Sequence, residues 1–181
     1  MRKLSPPLTG KLLLSSPTLR DSSFNHSVIL LAEHSPSDGA FGLIMNHPSG
    51  QMVGDLLTAK EFSPISHVQV HIGGPVSKGH MTFAAFWEED SHLRFATRIS
   101  AEQAMGHAQN SGALVRAFVG YTGWSKDQLE DEVESDSWVV VPVPDSILSL
   151  NHDRDLWKTI LAGLSPFHKI LAGAPGNILA N

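Results

Sequence analysis

The chain has ten histidines and no cysteine. Without cysteine, thiolate catalysis, disulfides and Cys-ligated zinc are excluded. The remaining candidates for chemistry are histidines and their acidic neighbours. His67 and His71 lie four positions apart in a strand-like stretch, on the same face. Residues at that spacing on a strand sit roughly 13 Å apart, too far to share an ion, so they read as polar edge residues and no metal site is expected. Asp153-Arg154-Asp155 suits a charged helix N-terminus better than a cation. Glu33 and His34 are adjacent, and a strand turns neighbours to opposite faces. That pair cannot act unaided. A hydrolase would need His26 or His34 beside an acid from elsewhere in the chain.

Recognised catalytic signatures are missing. The sequence contains no Gly-x-Gly, no phosphate-cradling Gly-x4-Gly-Lys, no His-Glu-x-x-His, no Gly-x-Ser-x-Gly and no Ser-x-x-Lys. No catalytic residue is assigned, and nothing in the pattern calls for a cofactor. Residues that suit ligand or partner binding are present. Asn46 returns beside Ser27 and Val28 if the preceding strands form a hairpin, which gathers Asn25, His26, Ser27, Asn46 and His47 at one polar end. Gly73-Gly74-Pro75 could offer backbone N–H groups to an anion. Tyr121 and Trp124 offer flat aromatic faces. Pockets favour such convergent polar and aromatic groups, so Asn46, Gly73, Gly74, Pro75, Tyr121 and Trp124 are the candidate binding residues.

The elements that must position these residues are mostly strands in the first half and helices in the second. A Pro-rich lead-in over 1–10 precedes a strand at Lys11–Ser15. Phe24–His34 is apolar on both faces, as in a strand covered above and below. Ser35-Pro36-Ser37-Asp38-Gly39 is turn chemistry, Phe41–Asn46 returns as the antiparallel partner, and His47-Pro48-Ser49-Gly50 is expected to close that hairpin. A short helix is expected over Met52–Leu57, with strands over Val68–Ile72, Met81–Trp87, Leu93–Ile99, Ala113–Tyr121 and Ser137–Val143. Pro142 and Pro144 confine the last of these to an edge or an end. Ser100 with Gln103 forms a capping box for a helix reaching about Asn110. Ser125 with Gln128 suggests another for Lys126–Glu134, with Trp124 and Leu129 as a hydrophobic staple. Leu156, Trp157, Ile160, Leu161 and Leu164 repeat at helical spacing within Asp153–Leu164. A tail over 173–181 is expected to fray. Without βαβα alternation, the pattern is that of one mixed α+β domain spanning 1–181.

At 181 residues, 41% hydrophobic and 17% charged, the composition is that of a folded domain. No apolar run approaches the ~20 residues of a membrane span, and no signal-peptide core is visible. The chain reads as soluble and cytoplasmic, with no membrane contact. Its formal net charge of -5 argues against direct nucleic-acid binding.

Taken together, Phe24–His34, Gly39–Pro48, Gly73-Gly74-Pro75-Val76 and Gly120-Tyr121-Thr122-Gly123-Trp124 through Glu130 resemble the bacterial AlgH/YqgE family, in order and spacing, over about Lys11 to Leu164. The resemblance implies a compact α+β domain whose branched sheet folds into a pseudo-barrel with peripheral helices. It also implies a cytoplasmic bacterial protein under a transcriptional-regulator label, with no catalytic residues to carry over. The Ala174-Pro175-Gly176-Asn177 end departs from the Gly-His-Ala-like close common in that family. The first functional reading is a non-catalytic binding or regulatory module acting through a partner protein or a small ligand. An enzyme with an unrecognised site and a DNA-associated regulator are the alternatives.

Affinity for DNA derives largely from counterions released by basic side chains. Titrated with genomic fragments at physiological salt, the purified protein is therefore expected to bind weakly and without sequence preference. Tight, selective binding would contradict this.

Overall fold

A computed structural model describes residues 7–19, 21–110 and 112–174. Among these residues, nine strands form one mixed sheet: β1 (Leu12–Ser15), β2 (Val28–Ser35), β3 (Gly39–Ile44), β4 (Pro48–Met52), β5 (Gln69–Ile72), β6 (Val76–Glu89), β7 (His92–Ile99), β8 (Leu114–Trp124) and β9 (Trp138–Val141). Its main path runs β4-β5-β8-β3-β2-β1-β9, with β6 and β7 branching from β8. The sheet curls into a half-barrel, and the class is α+β. Among the described residues, five α-helices accompany it: α1 (Val53–Leu56), α2 (Ala101–Ala108), α3 (Gln128–Glu134), α4 (Asp155–Leu164) and α5 (Pro166–Gly173).

β2 shows why the sheet is covered on both sides. Val28, Leu30 and Ala32 pack into one core with Leu156, Trp157, Ile160 and Leu161 of α4. Ile29 and Leu31 join a second with Trp124, Leu129 and Trp138. A third core lies under α2 and takes Val115 and Ala117 of β8. Phe118 of the same strand enters the first. The two-fold alternation of strand side chains thus feeds separate cores from one strand.

β8 is the branch point. Residues 117–119 pair in parallel with β5, residues 114–121 pair antiparallel with β6, and residues 122–124 pair antiparallel with β3. A strand has only two edges, so β5 must leave before β3 can dock. The exchange falls at Gly120, whose φ is +72°. A Cβ there would lie 2.4 Å from the carbonyl oxygen of Gly74, and one on Gly74 would lie 2.2 Å from that of Tyr121.

Several elements differ from the sequence expectation. Phe24 ends a 3-10 turn and His26 has φ 52°, so β2 begins only at Val28. Pro48-Ser49-Gly50 does not simply close a hairpin. It opens the edge strand β4, where a proline lacking N–H is tolerated. β6 starts earlier than expected and absorbs three extra residues between Val76↔Tyr121 and Met81↔Val119. Ser125 is not the cap of α3, because Asp127 at φ 63° intervenes. Half of the expected box survives: the Ser125 N–H donates to Gln128 Oε1 at 3.0 Å. The helix α5 had its signal in Ser165-Pro166, an N-cap followed by proline at N1. Most of the expected lead-in and tail lies outside the described residues, but residues 8–10 are not loose. Gly10 N–H donates to the Leu31 carbonyl at 2.8 Å, and Leu8 N–H to His34 at 2.9 Å.

Trp124 is 6% exposed and packs beside Leu129. Trp124→Ala is therefore expected to cost roughly 3–5 kcal/mol in urea melts, as other core aromatic truncations do. A midpoint unchanged from wild type would contradict its structural role.

Candidate functional site

Two indoles and one carboxylate anchor the end of β8. Trp124 and Trp138 both donate Nε1–H to Glu132 Oε2, at 2.8 and 2.7 Å, and Gln128 Nε2 donates to Oε1 at 2.9 Å. The two rings meet edge-on at 6.0 Å and 82°. Charge-assisted bonds of this kind are the stronger ones, and they hold α3 against the sheet. Two residues earlier in the same helix, Glu130 reaches His34. Leu8 N–H can only donate, so His34 Nδ1 accepts and the proton sits on Nε2, which donates to Glu130 Oε1 at 2.8 Å. The ring is thus held at both nitrogens, with neither left to act as a base.

Beside this pair lies an open cleft of about 530 Å³, lined among others by Thr9, His34, Asp38, Gly39, Phe41 and Trp124. Its rim is acidic. Asp38 Oδ2 accepts from Ser35 Oγ at 2.6 Å and Ser37 Oγ at 2.8 Å, and these bonds hold its carboxyl below the usual range. Glu33, facing away from its neighbour His34, pairs with Arg98, whose guanidinium lies over the Phe41 ring at 4.5 Å.

Of the candidate residues read from sequence, Trp124 lines this cleft, and Tyr121 lies behind it against Phe41 at 5.3 Å. Asn46 stands at the opposite end of the β2–β3 hairpin. It is fully buried, accepting from Val28 N–H and donating to the His26 carbonyl, each at 2.8 Å. The polar hairpin end expected there does form. His47 approaches Ser27 Oγ at 3.4 Å, and His26 stacks on Trp157 at 4.1 Å. Burial lowers the pKa of both histidines; the nearby Arg154 lowers that of His47 further. Gly73 and Gly74 pack against β8: Gly73 N–H donates to the Val119 carbonyl at 2.9 Å, while Pro75 is exposed. The six candidates therefore do not converge on one site. His34 beside an acid from elsewhere in the chain is the arrangement the hydrolase alternative asks for, and Glu130 supplies that acid; Glu130 and Arg98 as partners, and Asp38 as a rim residue, are absent from the sequence reading. The Ser35–Asp38 turn is visible there, but partners 65 or 96 positions apart leave no local pattern.

His71 is not an edge residue. It is fully buried, and its Nε2–H donates to the His152 carbonyl at 3.0 Å, while His152 donates to the Ile147 carbonyl at 2.7 Å. His67, by contrast, is exposed. Among the described residues, no group of three or more histidine and acidic side chains is placed to hold a metal ion, and no helix is long and apolar enough to cross a membrane.

The AlgH-like family model matches residues 12–166. The chain belongs to the AlgH-like family. A UPF0301 protein of Cytophaga hutchinsonii is 30% identical over 177 residues, covering 92% of this chain and 94% of that one. One from Gluconobacter oxydans is 32% identical over 184 residues, covering 93% and 97%. The solution structure of the AlgH protein from Pseudomonas aeruginosa is similar at a TM-score of 0.65 and 26% identity, covering 99% and 97% of the two chains. A crystal structure from Corynebacterium diphtheriae, at 0.68 and 22% over 96% and 95%, shares the fold. The AlgH-like domain is thus shown for this chain, while these names specify no reaction or ligand.

Burial, helped by Arg116, pushes the pKa of His71 down to about 4. Unfolded histidine binds its proton near 6.5, so the unfolded chain takes up a proton first as pH falls. The stability tied to neutral His71 is complete above about pH 6.5 and is lost as pH falls towards about 4, by about 3 kcal/mol. His71→Gln keeps a donor for the His152 carbonyl but cannot titrate. Urea melts across this window are expected to show a shallower pH dependence in His71→Gln than in wild type. Identical slopes would contradict the assignment.

Proposed function

We propose that this AlgH-like domain is a non-catalytic binding module, and that its partner places a basic segment in the cleft between the β2–β3 hairpin, Thr9 and Trp124. The observation that carries this reading is an acid-rimmed aromatic cleft whose one histidine has both nitrogens engaged. A cleft of about 530 Å³ falls within the size range of ligand pockets. Asp38 and Glu33 supply the rim carboxylates, Glu33 paired with Arg98, and Trp124 and Phe41 supply apolar surface. General base catalysis needs an imidazole nitrogen free to take a proton. At His34 one nitrogen faces Leu8 N–H and the other faces Glu130. At the far hairpin end, His26 lies against Trp157 rather than a carboxylate. These contacts support the binding reading over the hydrolase alternative, which would need the Leu8 N–H to release His34 Nδ1. A regulatory role in the cytoplasm would act through such a partner, in keeping with a net charge of -5 that opposes direct contact with DNA.

Titration of 15N-labelled protein with short basic and acidic peptides tests this. Basic peptides are expected to shift Asp38, Gly39 and the Trp124 indole, with affinity falling as salt rises. Shifts confined to other surfaces, or equal response to acidic peptides, would contradict the proposal.

A further inference from the structure

Arg98 is a non-glycine residue with φ 55° inside a strand. It sits where β7 carries one extra residue between Ala85↔Ala96 and Phe83↔Ile99, a bulge of the kind that re-aims a side chain. The bulge carries its guanidinium across to the β2–β3 hairpin. There the group pairs with Glu33 Oε1 and lies over Phe41 at 4.5 Å. Glu33 and Phe41 are cross-strand partners, and both line the cleft. With Arg98 above it and Tyr121 behind, Phe41 is 8% exposed. The ion pair itself is about half exposed, 53% for Arg98 and 55% for Glu33. Pairs so wet contribute little to stability, so this one does not explain why a left-handed arginine is kept.

We propose that Glu33 and the face of Phe41 form a guanidinium seat, that Arg98 fills it in the free protein, and that an arginine side chain of the partner displaces Arg98 when the cleft is engaged. The inference rests on the reading of the cleft as a binding site and names the group it recognises. A planar guanidinium can lie flat on an aromatic ring while donating in its own plane to a carboxylate. A lysine ammonium, a point charge with strong hydration, does not reproduce that pairing. Displacement exchanges one arginine for another at the same two partners. Arg98 then leaves a conformation that is costly for any residue with a Cβ. The seat is thereby self-occluding: cation, ring and carboxylate are satisfied at rest and are opened only by a competing cation of the same shape.

The test uses N-acetyl-arginine amide and N-acetyl-lysine amide as probes, read by the Ala40 and Phe41 resonances. Arg98→Gly is the main variant, since glycine accepts φ 55° without strain. It is expected to bind the arginine probe about tenfold more tightly than wild type, to prefer it over the lysine probe, and to lose the gain when combined with Glu33→Gln. Arg98→Lys, which keeps the charge but not the plane, should show a smaller gain in the same direction and serves if the glycine variant does not fold. Equal binding by wild type and both variants, a gain that survives Glu33→Gln, or no preference for arginine over lysine would overturn the seat. Basic peptides that shift the cleft equally in wild type and Arg98→Gly would remove the role of Arg98 and leave the cleft reading standing. If no basic probe reaches the cleft in any variant, both fall.

Discussion

The structure depends on the exchange of neighbours along β8. Three strands need an edge of it, and only two edges exist. The solution is sequential: β5 holds the edge up to Val119, and β3 takes it from Thr122. Between them the chain at Gly73-Gly74 crosses Gly120-Tyr121 so closely that no side chain fits on either glycine-bearing backbone. Gly73 sits at the centre of this crossing. Its N–H bonds the Val119 carbonyl, and its own carbonyl accepts from Ile44 N–H, each at 2.9 Å. One residue thereby ties β3 and β8 together where β5 departs. Buried backbone groups that fail to find partners are costly, which explains why the crossing uses main chain on both sides.

The C-terminal end of β8 inherits this geometry. Once β3 is docked, Ala40 faces Trp124 across the ladder, and the hairpin, the indole and the start of α3 are held in a single frame. Glu132 then fixes both tryptophans, and Glu130 fixes His34. The cleft is the space left beside this frame. Of its lining side chains, Glu33, His34, Ser35, Asp38 and Trp124 each bond to a partner within the fold. Arg98 differs in kind: its pair with Glu33 lies exposed on the rim, and its backbone conformation is unfavourable. Mobility in the site is expected where that cost is stored.

Some of this is legible in the sequence, and the rest is hidden for physical reasons. The double-faced apolar pattern of β2 predicts its burial between two cores, and Ser100 with Gln103 predicts the start of α2. The polar end of the hairpin falls where expected because antiparallel pairing is set by the turn. Local patterns are less reliable at β4, where Pro48 and Gly50 mimic a turn, and at α3, where a left-handed Asp127 delays the helix. Gly73 and Gly74 stand out in the sequence, but their purpose is a crossing with a strand more than 40 residues away, counted from Gly74 to Gly120. No periodicity encodes such a contact. The same holds for His34 with Glu130 and for Glu33 with Arg98, which only the fold brings together. Trp124 reads as structural, and it is that, while one side of it also lines the cleft.

The central claim is that the crossing at Gly73 and Gly120 holds the frame on which the cleft is built. Native-state hydrogen exchange across a series of urea concentrations tests it without altering the chain. The amides of Gly73 and Ile44 are the donors of the two crossing bonds. They are predicted to exchange only through global unfolding, with the same free energy and urea dependence as the most protected core amides. Exchange of these two amides through a local opening of low urea dependence, while the core of β2 stays protected, would contradict the account.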